Sequence, residues 1–244
     1  LRQAITAPGF DADAVERVRG QVISGILSDA QDPDTIASRR LDRIAFGDDP
    51  YGSSGDGTEE SVAALTVADL RAAKDAVLAR DRVYVAAVGD ISEAELGALL
   101  DRLLGDLPAA GAPQPPAAHY AAPGGVEVVD FPTPQSAILF SQPGIARDDP
   151  DFFPAYVLNE ALGGGRFNAR LMTELREKRG LTYGAYSYIA NMDRADYIAG
   201  RLATANPRVG EAVALIRQVW ADTAKNGLSD EELASVKTYL TGSY

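Results

Sequence analysis

Cysteine is absent from the 244 residues, and histidine occurs once, as His119. Without cysteine there is no disulfide, no thiol nucleophile and no cysteine-ligated zinc, and the redox compartment stays open. With one imidazole neither H-E-x-x-H nor H-x-x-E-H can be written, so this chain carries no zinc motif of its own. A Ser-His-Asp triad would have to use His119, and no G-x-S-x-G elbow accompanies it. His119 lies in a proline- and glycine-rich stretch and reads as solvated. Long apolar runs are also missing: none approaches the roughly 20 residues that cross a bilayer. Positive charge is scarce, with 23 Lys and Arg against 35 Asp and Glu, for a formal net charge of −12. Nucleic acid and anionic membrane surfaces demand a basic face, so both are disfavoured as partners. The acidity reads first as solubility, and it permits a basic or neutral partner.

What is present suits a globular protein: 46% hydrophobic and 24% charged residues, over a length that fits two domains or one large one. The sequence opens on Leu1 in what already reads as folded-domain sequence. It is therefore read as a fragment or processed chain lacking its targeting segment, which leaves bacterial periplasm and cytoplasm both open.

Periodicity predicts a helix over 12–27, with Val15, Val18, Val22 and Ile26 on one stripe, and a second over 34–46 that stops at Gly47 and Pro50. Thr66 with Asp69, Ser92 with Glu95 and Ser229 with Glu232 have the spacing of capping boxes, each opening a helix. "RVYVAAVGD" reads as a buried strand. Residues 107–125, "LPAAGAPQPPAAHYAAPGG", cannot form a regular element and read as a semi-rigid linker. The linker divides the chain into a first domain, 1–106, and a second, 126–244. In the second, "GVEVVDF", "SAILFSQ", the alternating run from Leu181 and "DYIAGRLATA" read as strands. A helix over 152–162 ends at Gly163, Gly164 and Gly165. Asn168 is placed to cap the next helix, which buries Leu171, Met172 and Leu175, and Asn206 with Pro207 to open another. Both halves mix strands with amphipathic helices, which makes the fold class α+β.

The triple glycine lacks the lysine, the Ser or Thr and the preceding strand of a phosphate loop, and reads as a structural joint between two helices. Asp and Glu are plentiful but sit on polar helix faces, with no specific support for a paired-carboxylate site. Arg176 and Tyr183 remain. An arginine offers a rigid fork of donors and a tyrosine one donor on a rigid ring, so a pair of them can hold a polarised carbonyl oxygen. Spacing alone makes Arg176 a surface residue and packs Tyr183 under the sheet. A helix end leading directly into a strand can nevertheless bring two such residues together.

"LGGGRFNARLMTELREKRGLTYGAYSY" resembles the glycine-pair, SRL and LRexxGLxY segment of the pitrilysin/insulinase zinc peptidases, which include the mitochondrial processing peptidases. "FGDDPYGSSGDGTEESVAALTVADLRAAKD" is similar to the family's passage from helix to strand, with Asp49 where a histidine is frequent. "VYVAAVGDIS" and "GLSDEELASVKTYLTGSY" extend the likeness over nearly the whole chain. The resemblance implies two related metallohydrolase-like α+β domains facing each other across a chamber that holds an extended peptide. Zinc sits in the family's catalytic half, on an H-x-x-E-H helix with a downstream glutamate as third ligand. The other half supplies an arginine and a tyrosine that grip the substrate, and these fall on Arg176 and Tyr183.

Two departures qualify the likeness. The zinc motif is absent, and Leu1 falls in the latter half of the first domain, so any such motif lies upstream. The glutamate ligand belongs within "RVRGQVISGILSDAQDP", where this chain has Val22, Ile23, Ser24 and Gly25. The resemblance therefore implies a non-catalytic, inactive-domain member with its first domain incomplete and a C-terminal truncation of its second left open. It pairs with a zinc-bearing homologous subunit as a heterodimer and holds peptide substrate through Arg176 and Tyr183. The alternatives are a fragment of an active zinc peptidase and a structural or assembly protein of the same fold.

Overall fold

The computed structural model describes residues 1–243. In chain order the helices are α1 (Arg2–Thr6), α2 (Ala12–Asp29), α3 (Pro33–Phe46), α4 (Glu59–Ala64), α5 (Val67–Val77), α6 (Glu93–Leu104), α7 (Phe152–Leu162), α8 (Val209–Asn226) and α9 (Asp230–Gly242). The strands are β1 (Gln135–Pro143), β2 (Ala185–Asn191) and β3 (Asp196–Ala205). The protein is α+β, as the sequence implies. It folds as two compact units, one of residues 1–28 and 56–115, the other of residues 29–55 and 116–244. Among the described residues no helix is long and apolar enough to cross a membrane.

The first unit is helical and thinly cored. Its buried apolar residues are Val62, Ala79 and Leu107, and neither α2, α5 nor α6 fully buries a residue. Local chemistry sets its helix ends. Thr66 and Asp69 close a capping box on α5, and Ser92 and Glu95 close one on α6, each side chain satisfying a backbone N–H that the first turn leaves free. Arg19 does the reverse job at the end of α4, donating to the carbonyls of Val62, Ala63 and Leu65. The proline-rich stretch after α6 lies against this unit: the Ala112 N–H donates to the Ala76 carbonyl at 2.9 Å, and the Ala112 carbonyl accepts from Arg82, also at 2.9 Å.

The second unit is built on an antiparallel sheet of order β1-β3-β2. Register places Ile138 and Ala185 on either side of Leu202, so one face is apolar across all three strands. That face packs with Leu162, Leu171, Leu175, Leu215, Ile216 and Val219, while Phe140 meets Trp220 edge-on at 5.4 Å. Each fully buried leucine contributes about 1.5–3 kcal/mol. The opposite face is partly covered by α3, whose Phe46 lies 5.7–5.9 Å from the rings of Tyr51, Tyr120 and Tyr197.

Four sequence expectations give way here. Residues 82–90 and 125–131 form no strand and join no ladder among the described residues, and Arg82 closes a 3-10 turn, Arg80–Arg82. Their side chains face solvent, with Tyr84 at 97% and Val128 at 83% exposure. Alternation predisposes a segment to be a strand, but a hydrogen-bonded neighbour makes it one. Asn168 caps no helix: its amide donates to the Ser235 hydroxyl, and the chain instead makes a π-type turn, Met172–Glu177, which still buries Leu171, Met172 and Leu175. Asn206 is likewise diverted, donating to the Thr133 carbonyl and accepting from the Ser136 hydroxyl, so α8 starts without a side-chain cap.

Candidate functional site

The route from helix to strand in the second unit fixes Arg176 and Tyr183 on its two sides. Gly180 ends the π-type turn with φ +59, a conformation that costs a residue with a Cβ. Its N–H donates to the Arg176 carbonyl at 2.9 Å, and the next N–H, of Leu181, donates to the Leu175 carbonyl at 2.8 Å. Leu181 is buried, and its carbonyl accepts from the Thr204 hydroxyl on β3 at 2.6 Å. Thr182 then folds over, its hydroxyl donating to the Gly184 carbonyl and accepting from the Gly184 N–H. Tyr183 is thus carried between two anchored neighbours, directly before β2.

Tyr183 is 89% exposed, so the packing under the sheet that spacing suggests does not occur. It borders an open hollow of about 460 Å³ at one end of the sheet, lined also by Gln135, Thr182, Tyr186, Arg201 and Ala203. Arg201 in that lining is paired with Asp34 at 2.9 Å. Arg176 is half-buried, makes no ion pair among the described residues, and holds its guanidinium carbon 5.1 Å from the centroid of the Phe167 ring. It does not line the hollow beside Tyr183.

The glycines preceding this segment act through space rather than through dihedral freedom. A Cβ on Gly163 would lie 2.7 Å from the Ser187 backbone nitrogen and one on Gly164 2.7 Å from the Glu160 Cα, whereas one on Gly165 would meet nothing within 4 Å. Gly163 lets the end of α7 sit flush on β2, where its carbonyl accepts from the Ser187 N–H at 2.8 Å. Buried Asn159 completes the join, accepting from the Ser187 hydroxyl at 2.8 Å and donating to the Ser187 carbonyl at 3.1 Å. Sequence reasoning missed Asn159, because nothing in its neighbourhood shows that β2 will supply its partners.

It also missed Arg170, which forks onto both oxygens of Glu232 at 2.7 Å and reaches the Thr223 hydroxyl and the Gly227 carbonyl at 2.8 Å each. The Arg170 guanidinium, helped by the Ser229 cap, holds the Glu232 carboxyl down at about 2. Burial pushes Glu160 upward, partly opposed by Arg166.

His119 is exposed, α2 carries no carboxylate between Glu16 and Asp29, and among the described residues no group of three His, Asp or Glu converges. A helix-backed antiparallel sheet, with a half-buried arginine and an exposed tyrosine flanking the turn into its second strand, defines the class as an α+β domain. The family model for the peptidase M16 inactive domain matches residues 64–240, and the chain belongs to that family.

Its relatives carry two kinds of name. It is 27% identical to the non-peptidase homolog YmxG of Helicobacter pylori, across 100% of this chain and 56% of that protein. It is 28% identical to an uncharacterized zinc protease of Streptomyces coelicolor, across 98% of this chain and 53% of that one. Among solved structures, a peptidase M16 inactive domain from Pseudomonas fluorescens superposes with a TM-score of 0.90 at 33% identity, covering 99% of this chain and 59% of its own. The chain thus spans about half the length of the curated relatives it matches.

Proposed function

We propose that this chain is the substrate-holding part of a pitrilysin-like metallopeptidase, gripping an extended peptide through Arg176 and Tyr183 for a zinc-bearing homologous partner. The observation that carries the reading is the state of the two donors: Tyr183 is 89% exposed, and Arg176 has no ion pair among the described residues. Donors unspent within the fold are free to meet a peptide carbonyl and the charge that develops on its oxygen. Zinc is assigned to the partner, and the division of the chain at 107–125 into two pitrilysin-like domains belongs to the same proposal.

The test mixes the chain with a zinc-bearing homologue and follows cleavage of a quenched peptide. Cleavage by the mixture that falls about a hundredfold with Tyr183→Phe or Arg176→Ala is the expected result. Normal cleavage by the Tyr183→Phe mixture would sink the reading. The name zinc protease on relatives of about twice this length favours a second reading, a piece of an enzyme with its metal site elsewhere in the same polypeptide. Stoichiometric zinc in the full-length protein, with cleavage needing no partner, would select it.

A further inference from the structure

We infer that Phe167 is a positioning residue: its ring rests the Arg176 guanidinium and leaves that cation's donors available to a peptide. The inference rests on the reading of Arg176 given above and goes beyond it by naming what holds the arginine ready. Phe167 is 67% exposed, so burial does not explain its place, and the ring contact that accounts for it is Arg176 at 5.1 Å.

An arginine on a surface rich in carboxylates normally ends in a fork on one of them, which uses the donors that recognition needs. Here the carboxylate two residues away is occupied elsewhere: Glu174 accepts from Lys178 at 2.6 Å and from Arg179 at 2.7 Å. Glu177 is the adjacent residue, and adjacent helical side chains do not face each other. A ring face attracts a cation through its quadrupole without taking up its N–H groups as a carboxylate does. Arg176 is therefore oriented while its donors stay unspent.

The chain is held on both sides of Phe167. Arg166 donates to the Ser235 hydroxyl at 2.7 Å and lies 5.0 Å from the Tyr239 ring centroid, while Ala169 is 1% exposed. Two anchors one and two residues away make Phe167 a fixed rest.

The contact and its purpose are tested separately. In the free, isotope-labelled chain, the Arg176 side-chain Nε–H resonance should show a ring-current shift that collapses in Phe167→Leu and survives in Phe167→Tyr, with unfolding unchanged in both. In the mixture with a zinc-bearing homologue, Phe167→Leu should lower kcat/KM by about threefold to tenfold. Phe167→Tyr should restore it, and Phe167→Leu should cost nothing further in an Arg176→Ala background. An Arg176 resonance indifferent to Phe167→Leu overturns the inference, as do losses from the two substitutions that multiply. The expected resonance behaviour beside mixtures that never cleave would support the contact and overturn the peptide-holding role.

Discussion

Tyr183 and Glu232 show how exposure and pairing set what a single side chain contributes to stability. The Tyr183 hydroxyl has no hydrogen-bond partner among the described residues and its ring is almost wholly exposed. Tyr183→Phe should therefore leave the unfolding free energy measured in urea within about 0.5 kcal/mol of wild type, so any loss of peptide handling belongs to the hydroxyl. Glu232 is the opposite case. Its carboxyl is lowered from 4.5 to about 2, chiefly by Arg170. A depressed acid stabilises the fold above its unfolded value and loses that contribution as pH falls toward its folded one. The Arg170–Glu232 clamp is thus complete above about pH 4.5 and is lost as pH falls through about 2. Solvent reaches 35% of the Glu232 side chain, and after screening the contribution is about 1–2 kcal/mol. Glu232→Gln should be less stable than wild type by that amount at pH 7, with the gap narrowed at pH 2; an equal gap at both would count against the clamp.

Among the elements, those whose signals are local were legible and those that depend on distant partners were not. The boxes at Thr66, Ser92 and Ser229 read correctly because donor and acceptor lie within one turn. "DYIAGRLATA" read correctly as β3 because a central strand keeps its alternation on both sides. Residues 82–90 and 125–131 failed because the sequence shows that a strand is possible, and only the fold shows whether a neighbour exists. Asn168 and Asn206 failed for a related reason, their amides finding Ser235 and Thr133 instead of a helix end. Of the candidate site, resemblance singled out Arg176 and Tyr183, whose role is the proposal made above, while Phe167 and Asn159 depend on contacts that spacing does not encode. The glycine joint offers a test at this scale. Gly163→Ala drives a methyl into the Ser187 backbone and should cost about 1–3 kcal/mol, whereas Gly165→Ala, facing open space, should stay within about 0.5 kcal/mol. Equal costs would mean that the join of α7 to β2 does not depend on close approach.

Across the whole molecule, net charge and exposed apolar surface oppose each other. The two unladdered segments present Tyr84, Val88, Val126 and Val128 to solvent, the least covered at 104% relative exposure. Exposed apolar backbone without a ladder partner is a template for pairing with another chain. A formal charge of −12 at pH 7 supplies the repulsion that keeps copies apart, and it vanishes near the pI of about 4.5. At that pH the Glu232 carboxyl, held at about 2, is still ionised, so association should begin while the fold is intact. Light scattering should accordingly peak near pH 4.5 with native unfolding behaviour preserved. Lysine at Tyr84, Val88 and Val128 should lower that peak measured at each variant's own isoelectric pH, because it breaks the apolar segments as well as shifting the charge. Substitution at such exposed positions should move stability by no more than about 0.5 kcal/mol. A peak that merely follows the isoelectric point at undiminished height would show that charge alone governs association and that the two segments are not where copies meet.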